Sequence, residues 1–219
     1  MHKEIVKRIL SSLVILPLSL FFIIQDSILF LFFLFVVFFV TIYEWYQMTK
    51  SKSYLNYGII FLLISFYSAY MLRNYENGLT IFLLIILICI STDIGGYLFG
   101  KLFKGPKLTK ISPNKTYSGV VGSFLLSIIS YSIFVEYLSY FNLNKNIVFS
   151  VNILDYIFII LISAISQIGD LTISYFKRKS NIKNTGKLLP GHGGILDRID
   201  GIVFVFPILY FLILLFNFK

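Results

Sequence analysis

A chain of 219 residues that is 58% apolar, only 13% charged and +9 in formal charge cannot be an ordinary soluble domain, where about a quarter of the residues are charged. It is not a disordered chain either, because disorder goes with low apolar content. What remains is a polytopic membrane helix bundle, an all-α fold whose charges are crowded into little water-facing surface. Cys89, the single cysteine, sits in the run ILICI. That excludes an internal disulfide and a cysteine metal cluster, and it reads as a small buried hydrophobe.

A membrane-crossing helix takes about 20 mostly apolar residues. Seven runs qualify in chain order, at 8–25, 27–43, 54–72, 79–99, 118–140, 154–176 and 198–217. The first follows Lys3, Lys7 and Arg8, as a signal peptide would. Its apolar stretch is long for a signal core and no A-x-A-like site follows, so a retained span is expected. Only Gln25 and Asp26 separate the first two runs. They form either a tight helical hairpin or a span beside a re-entrant segment. The first three runs carry almost no polar groups, so residues 1–78 read as a transmembrane scaffold, with Glu44 and Trp45 at the membrane interface. Residues 79–219 read as the catalytic region, with two basic loops at 101–117 and 177–197.

The basic residues predict the orientation. With the N-terminus in the cytoplasm, sixteen of the nineteen Lys and Arg residues fall inside, and only Arg73, Lys145 and Lys219 fall outside. Cytoplasmic loops carry such an excess. The expectation is about seven spans, with the N-terminus cytoplasmic.

In the first basic loop, Asp93 closes the fourth apolar run. An ionisable group at membrane depth is costly and marks a functional position; a water-facing Asp at a helix end is the plain alternative. Gly95, Gly96 and Gly100 allow close approach of a helix or a ligand. Lys101, Lys104, Lys107, Lys110 and Lys115 follow. Ser112-Pro113-Asn114-Lys115-Thr116 then precedes a helix start at Ser118-Gly119. Hydroxyls, a lysine and free N–H groups suit a phosphate. A helix cap beside a lysine that meets lipid headgroups fits equally well.

The second loop carries more. If the run containing Asp170 is helical, Ser174, Lys177 and Arg178 share its face. Asp197 and Asp200, three apart, share a face at the start of the last run. The segment Pro190-Gly191-His192-Gly193-Gly194 makes a tight turn, where glycine permits positive φ. His192 either contacts phosphate or moves a proton, or merely caps the turn. Carboxylates near helix ends can hold a hard cation such as Mg²⁺. Nearby Lys and Arg can hold phosphate oxygens. Together these are the parts of phosphoryl or nucleotidyl transfer. Buried Asp–Arg pairs that only stabilise the bundle would explain one such pair. They would not explain six cations, three acids and a glycine turn between Asp170 and Asp200.

The segment from Ser174 to Asp200 resembles the motif of the phosphatidate cytidylyltransferase (CDP-diglyceride synthase) family. The matching residues are Ser174, Phe176-Lys177-Arg178, Lys183, Gly186, Leu189-Pro190, His192-Gly193-Gly194-Ile195 and Asp197-Arg198-Ile199-Asp200. Upstream, Asp93, Gly96-Tyr97, Gly100-Lys101, Ser112-Pro113, Lys115-Thr116, Gly119 and Gly169-Asp170-Leu171 resemble it too. Residues 90–217 carry the likeness; the N-terminal third matches only in being apolar. Asn184 stands where the family usually has Asp, Asn114 where it has a lysine, and Ser118 where it has an acid. The chain is also short for the family.

The resemblance implies that CTP and phosphatidate give CDP-diacylglycerol and pyrophosphate, with Mg²⁺ and room for a second cation. Asp170 and Asp197 would be the metal positions. Lys115, Lys177, Arg178 and Lys183 would grip phosphate oxygens. Asp93 and Asp200 would bind metal or orient those cations. Ser112, Thr116, Ser174, His192, Gly193, Gly194 and Arg198 would complete substrate binding. A homodimer is also implied, and no nucleic acid. The expected location is a bacterial inner membrane, with the site at its cytoplasmic face, where a tailed lipid and a charged nucleotide can meet. A CTP-dependent polyprenol kinase-like enzyme is the nearest alternative. An anion or phosphate transporter is another, although its acids would be spread along several spans.

Overall fold

A computed structural model describes residues 2–25, 28–109, 111–140, 152–189, 191 and 193–216. His192, Pro190, Asp26, Lys110, Lys145 and Lys219 lie outside the described residues. The elements are α1 (His2–Ile24), α2 (Ile28–Thr49), α3 (Leu55–Arg73), α4 (Gly78–Phe103), α5 (Tyr117–Tyr140), α6 (Ile153–Lys179), α7 (Leu196–Ile199) and α8 (Ile202–Phe216). Among the described residues there is no strand, only isolated bridges between Lys107 and Thr116 and between Leu189 and Gly193.

Among the described residues every apolar run read from the sequence is largely helical, and five helices, α2 to α6, are long and apolar enough to cross a membrane. The expected count was about seven. In α1 the apolar part described is Leu13–Ile24. The last run is divided at Asp200 and Gly201, where the Gly201 N–H donates to Asp200 Oδ1 at 3.1 Å. That leaves α8 with 15 residues, or about 22 Å of rise, against a hydrocarbon core of about 30 Å.

The chain forms two compact units, one of Met1–Leu79 with Tyr175–Lys219, the other of Thr80–Ser174. In the first, α3 packs against α2 and α8. The Ser65 hydroxyl donates to the Val203 carbonyl at 2.6 Å, and the Phe61 and Phe204 rings lie 4.5 Å apart. Arg73, buried at the end of α3, donates from Nε to the Ile23 carbonyl at 3.1 Å. It thereby satisfies a carbonyl at the end of α1 that the helix itself leaves open. Trp45 lies edge-on to Phe176 at 5.3 Å and donates from its indole to the Leu55 carbonyl at 3.0 Å.

In the second unit a chain of small hydroxyls joins the helices. Thr92 of α4 bonds Ser127 of α5 at 3.0 Å and Ser163 of α6 at 2.8 Å. Ser123 donates to the Thr92 carbonyl at 2.7 Å, and Ser91 to Ser130 at 2.7 Å. Such bonds hold helices together where apolar burial alone gives little drive. Close backbone approach makes them possible: a Cβ on Gly95 would strike the Gly122 carbonyl, and one on Gly119 would come within 2.8 Å of the Gly96 carbonyl. Of the two uses open to these glycines, the structure shows helix packing. Gly95→Val is therefore expected to cost about 1–3 kcal/mol, the usual range for overpacking. A lowered thermal midpoint in detergent would show it; an unchanged midpoint would contradict the packing.

Candidate active site

In the first unit the predicted residues converge on Lys177. Its ammonium lies 2.9 Å from Asp197 Oδ1 and 3.7 Å from Asp200 Oδ2, and all three side chains are largely buried. Asp197 is held on its other oxygen as well. Oδ2 accepts from the Thr185 N–H at 2.9 Å and the Gly194 N–H at 3.0 Å. The turn that presents the Gly194 N–H depends on Gly193, which has φ +92. A Cβ there would lie 2.8 Å from Asp197 Oδ2, so glycine serves both conformation and approach. Leu189 and Gly193 close the turn with paired backbone bonds of 2.9 and 3.2 Å.

The single cationic face expected along α6 is corrected in one respect. Lys177 and Arg178 are neighbours on a helix and so point about 100° apart. Lys177 is buried against the carboxylates. Arg178 is exposed and donates to the Ile182 carbonyl at 3.4 Å. Lys183, Arg198 and Asn184 are also exposed. Asn184 lies against the turn, 3.4 Å from where a Gly193 Cβ would sit.

The most informative residue in this unit is one whose partners the sequence does not show. Glu44, expected at the membrane interface with Trp45, is 1% exposed. Its Oε2 accepts from the Thr185 hydroxyl at 2.9 Å and the Leu196 N–H at 2.8 Å, and its Oε1 from the Ile195 N–H at 2.9 Å. A lone acid at the end of an apolar run gives no spacing signal. Its partners, mostly backbone N–H groups some 150 residues on, leave no trace in the sequence.

In the second unit Asp170 pairs with Lys115 at 2.5 Å and accepts from the Ser174 hydroxyl at 3.2 Å. The latter is the predicted i, i+4 contact along a helix. Thr116 caps α5: its hydroxyl accepts from the Gly119 N–H at 3.1 Å and bonds Ser118 at 2.9 Å. This is the capping alternative of the sequence reading, and it uses one of the N–H groups that a phosphate would have taken. Ser112 is half-buried, with its carbonyl accepting from the Lys115 N–H at 3.0 Å. Asp93 is exposed on α4.

Asp197 in the first unit and Asp170 in the second each offer carboxylate oxygens of the kind a hard divalent cation takes, and each already holds a positive charge in the form of an ammonium. Among the described residues no three His, Cys, Asp or Glu side chains gather at one point. Mg²⁺ does not require such a cluster, since it commonly takes one or two carboxylates and fills its shell with water and substrate phosphate.

These features define a helical, membrane-type protein with a lysine–carboxylate centre in each of its two units. The chain belongs to the cytidylyltransferase family, whose model matches residues 53–216. It is 37% identical over 215 residues to a phosphatidate cytidylyltransferase of Rickettsia felis, covering 97% of this chain and 94% of that one. A phosphatidate cytidylyltransferase of Rickettsia conorii is 38% identical over 205 residues, covering 93% and 88%. One from Staphylococcus aureus is 39% identical over 165 residues, covering 75% of this chain and 57% of its own.

Proposed function

We propose that this chain transfers the cytidylyl group of CTP to phosphatidate, giving CDP-diacylglycerol and pyrophosphate. The observation that carries the proposal is the Lys177–Asp197–Asp200 centre, set inside the segment that resembles the family motif. Likeness to curated phosphatidate cytidylyltransferases over most of the chain supports it.

The phosphate oxygen of the lipid is already ionised at neutral pH, so no general base is needed. It attacks the α-phosphorus of CTP. The bond from that phosphorus to the β-phosphate oxygen breaks, and pyrophosphate leaves with the electron pair. The protein's task is positioning and charge compensation. Lys177 and Lys115 exchange carboxylate oxygens for phosphate oxygens. Arg178 and Lys183, both exposed, meet the nucleotide's outer phosphates. Asp170 and Asp197 are the residues that would hold Mg²⁺. When bound, the metal would supply charge neutralisation of the triphosphate and its leaving group.

The orientation belongs to the same proposal. The sixteen-to-three distribution of basic residues supports a cytoplasmic N-terminus, with α1 and α8 completing about seven spans. The site then lies at the cytoplasmic face of a bacterial inner membrane, in a chain that functions as a homodimer. Residues 1–78 act largely as scaffold, and 79–219 supply most of the chemistry.

The test is direct. Purified protein in phosphatidate micelles with CTP and Mg²⁺ should form CDP-diacylglycerol and pyrophosphate in equal amounts. Release of CDP with a polyprenol acceptor would point to a kinase. Phosphate flux in proteoliposomes without lipid product would point to a transporter.

A further inference from the structure

We infer that Glu44 is a positioning residue for this reaction, fastening both ends of the glycine turn that holds Asp197. The inference rests on the proposed cytidylyl transfer and extends it to a residue of α2 outside the motif.

Thr185 precedes the turn and Ile195 and Leu196 follow it. Glu44 takes a bond from each, at 2.8–2.9 Å. Thr185 is shared: its hydroxyl goes to Glu44, and its backbone N–H goes to Asp197. Leu196 is the immediate neighbour of Asp197. The same carboxylate therefore fixes the donor on one side of Asp197 and the backbone on the other. Two glycines leave room for it. A Cβ on Gly186 would lie 2.6 Å from Glu44 Oε1, and one on Gly194 would strike Oε2.

The side chain must be a carboxylate for a specific reason. A buried charge is costly unless hydrogen-bonded, and here three donors face two oxygens. Glutamine has one oxygen and one NH₂. If its oxygen takes the Oε2 place, the Ile195 N–H faces an NH₂. If it is flipped, the Leu196 N–H does. Either way one backbone donor loses its partner, and an orphaned buried donor is strongly unfavourable. The turn can relieve this only by moving. A displacement of that kind at a catalytic group, far smaller than unfolding, is enough to slow a reaction about a hundredfold.

The experiment compares wild type, Glu44→Gln, Glu44→Asp and Thr185→Val. For each, kcat and KM for CTP, the thermal midpoint, and the rate of tryptic cleavage after Lys183 and Lys187 are measured. Both lysines are exposed; Lys187 lies within the fastened stretch and Lys183 just before it. Glu44→Gln should lower kcat/KM at least tenfold and speed cleavage at those lysines several-fold. Glu44→Asp, which keeps the charge, should recover part of both. Thr185→Val removes only the hydroxyl bond. It should lower kcat/KM about threefold and lower the midpoint less than Glu44→Gln does, and it decides the matter where Glu44→Gln yields no folded protein. Kinetics and cleavage within twofold of wild type would overturn the inference. So would a lowered midpoint in which the folded fraction keeps wild-type kcat and KM. An inactive wild type would count against the cytidylyl reading, and the cleavage rates would still decide whether Glu44 fastens the turn.

Discussion

Asp197→Ala is expected to lower kcat by about a thousandfold, at the upper end of what loss of one preorganised electrostatic contact costs. Three donors converge on this carboxylate: the Lys177 ammonium and the N–H groups of Thr185 and Gly194. Alanine leaves all three without their acceptor. The ammonium would keep only Asp200, 3.7 Å away in the wild type, and the turn would lose the group around which it is built. Asp197→Asn separates charge from shape. The amide fills the same space, yet its NH₂ must face either the ammonium or the two backbone N–H groups, and donors oppose donors in both flips. A loss of about a hundredfold is expected for Asn. The measurement is initial turnover with labelled CTP, on protein shown to be monodisperse. Alanine activity within tenfold of wild type would remove Asp197 from the reaction. Wild-type turnover in the Asn variant would show that its charge is unnecessary.

How much of this was legible beforehand depends on the kind of contact. The helices were legible because apolar run length is a property of the sequence itself. Among the described residues each of the seven runs is largely helical, with edges within a few residues of those read, apart from α1 and α2, which run further at one end. The division of the last run was not. It falls at Asp200 and Gly201, where the Gly201 N–H meets Asp200 Oδ1, a local detail that hydropathy does not record. The pairing of Asp170 with Ser174 was legible because it follows from helical spacing. The parting of Lys177 from Arg178 follows from the same geometry, although both cations were assigned to one stripe.

Contacts between distant segments were legible only in part. The Ser174–Asp200 motif marked Lys177, Asp197 and Asp200 as a group, without saying that one ammonium would meet both acids. Lys115 and Asp170 were each singled out, and their union is a fact of folding. Glu44 was out of reach altogether. It is held by a hydroxyl and two backbone N–H groups, and any sequence supplies backbone N–H groups everywhere. A sequence reading can recognise complementary side chains. It cannot foresee which turn will aim its peptide groups at a lone acid.

Lys177→Met should cost both folding and function, and the two losses can be separated. Lys177 is 8% exposed and answers two carboxylates at once. Methionine fills a similar volume but leaves Asp197 and Asp200 without their shared cation. Removing one partner of a buried ion pair typically costs about 3–5 kcal/mol, so the thermal midpoint should fall sharply. Turnover of the protein that remains folded should also fall, by about a hundredfold or more, because the cation proposed to meet phosphate is gone. Arginine should not rescue it, since its planar fork cannot occupy a pocket shaped for one ammonium. The double variant Lys177→Met/Asp200→Asn distinguishes the two roles. Deleting one of the stranded charges should restore much of the midpoint, and the two substitutions should be non-additive in stability because they share a partner. Activity should stay low. If the double variant regained turnover together with its midpoint, Lys177 would be only a structural counter-ion and the transfer chemistry would have to rest on other cations. If the single variant melted like wild type, the buried centre itself would be in question.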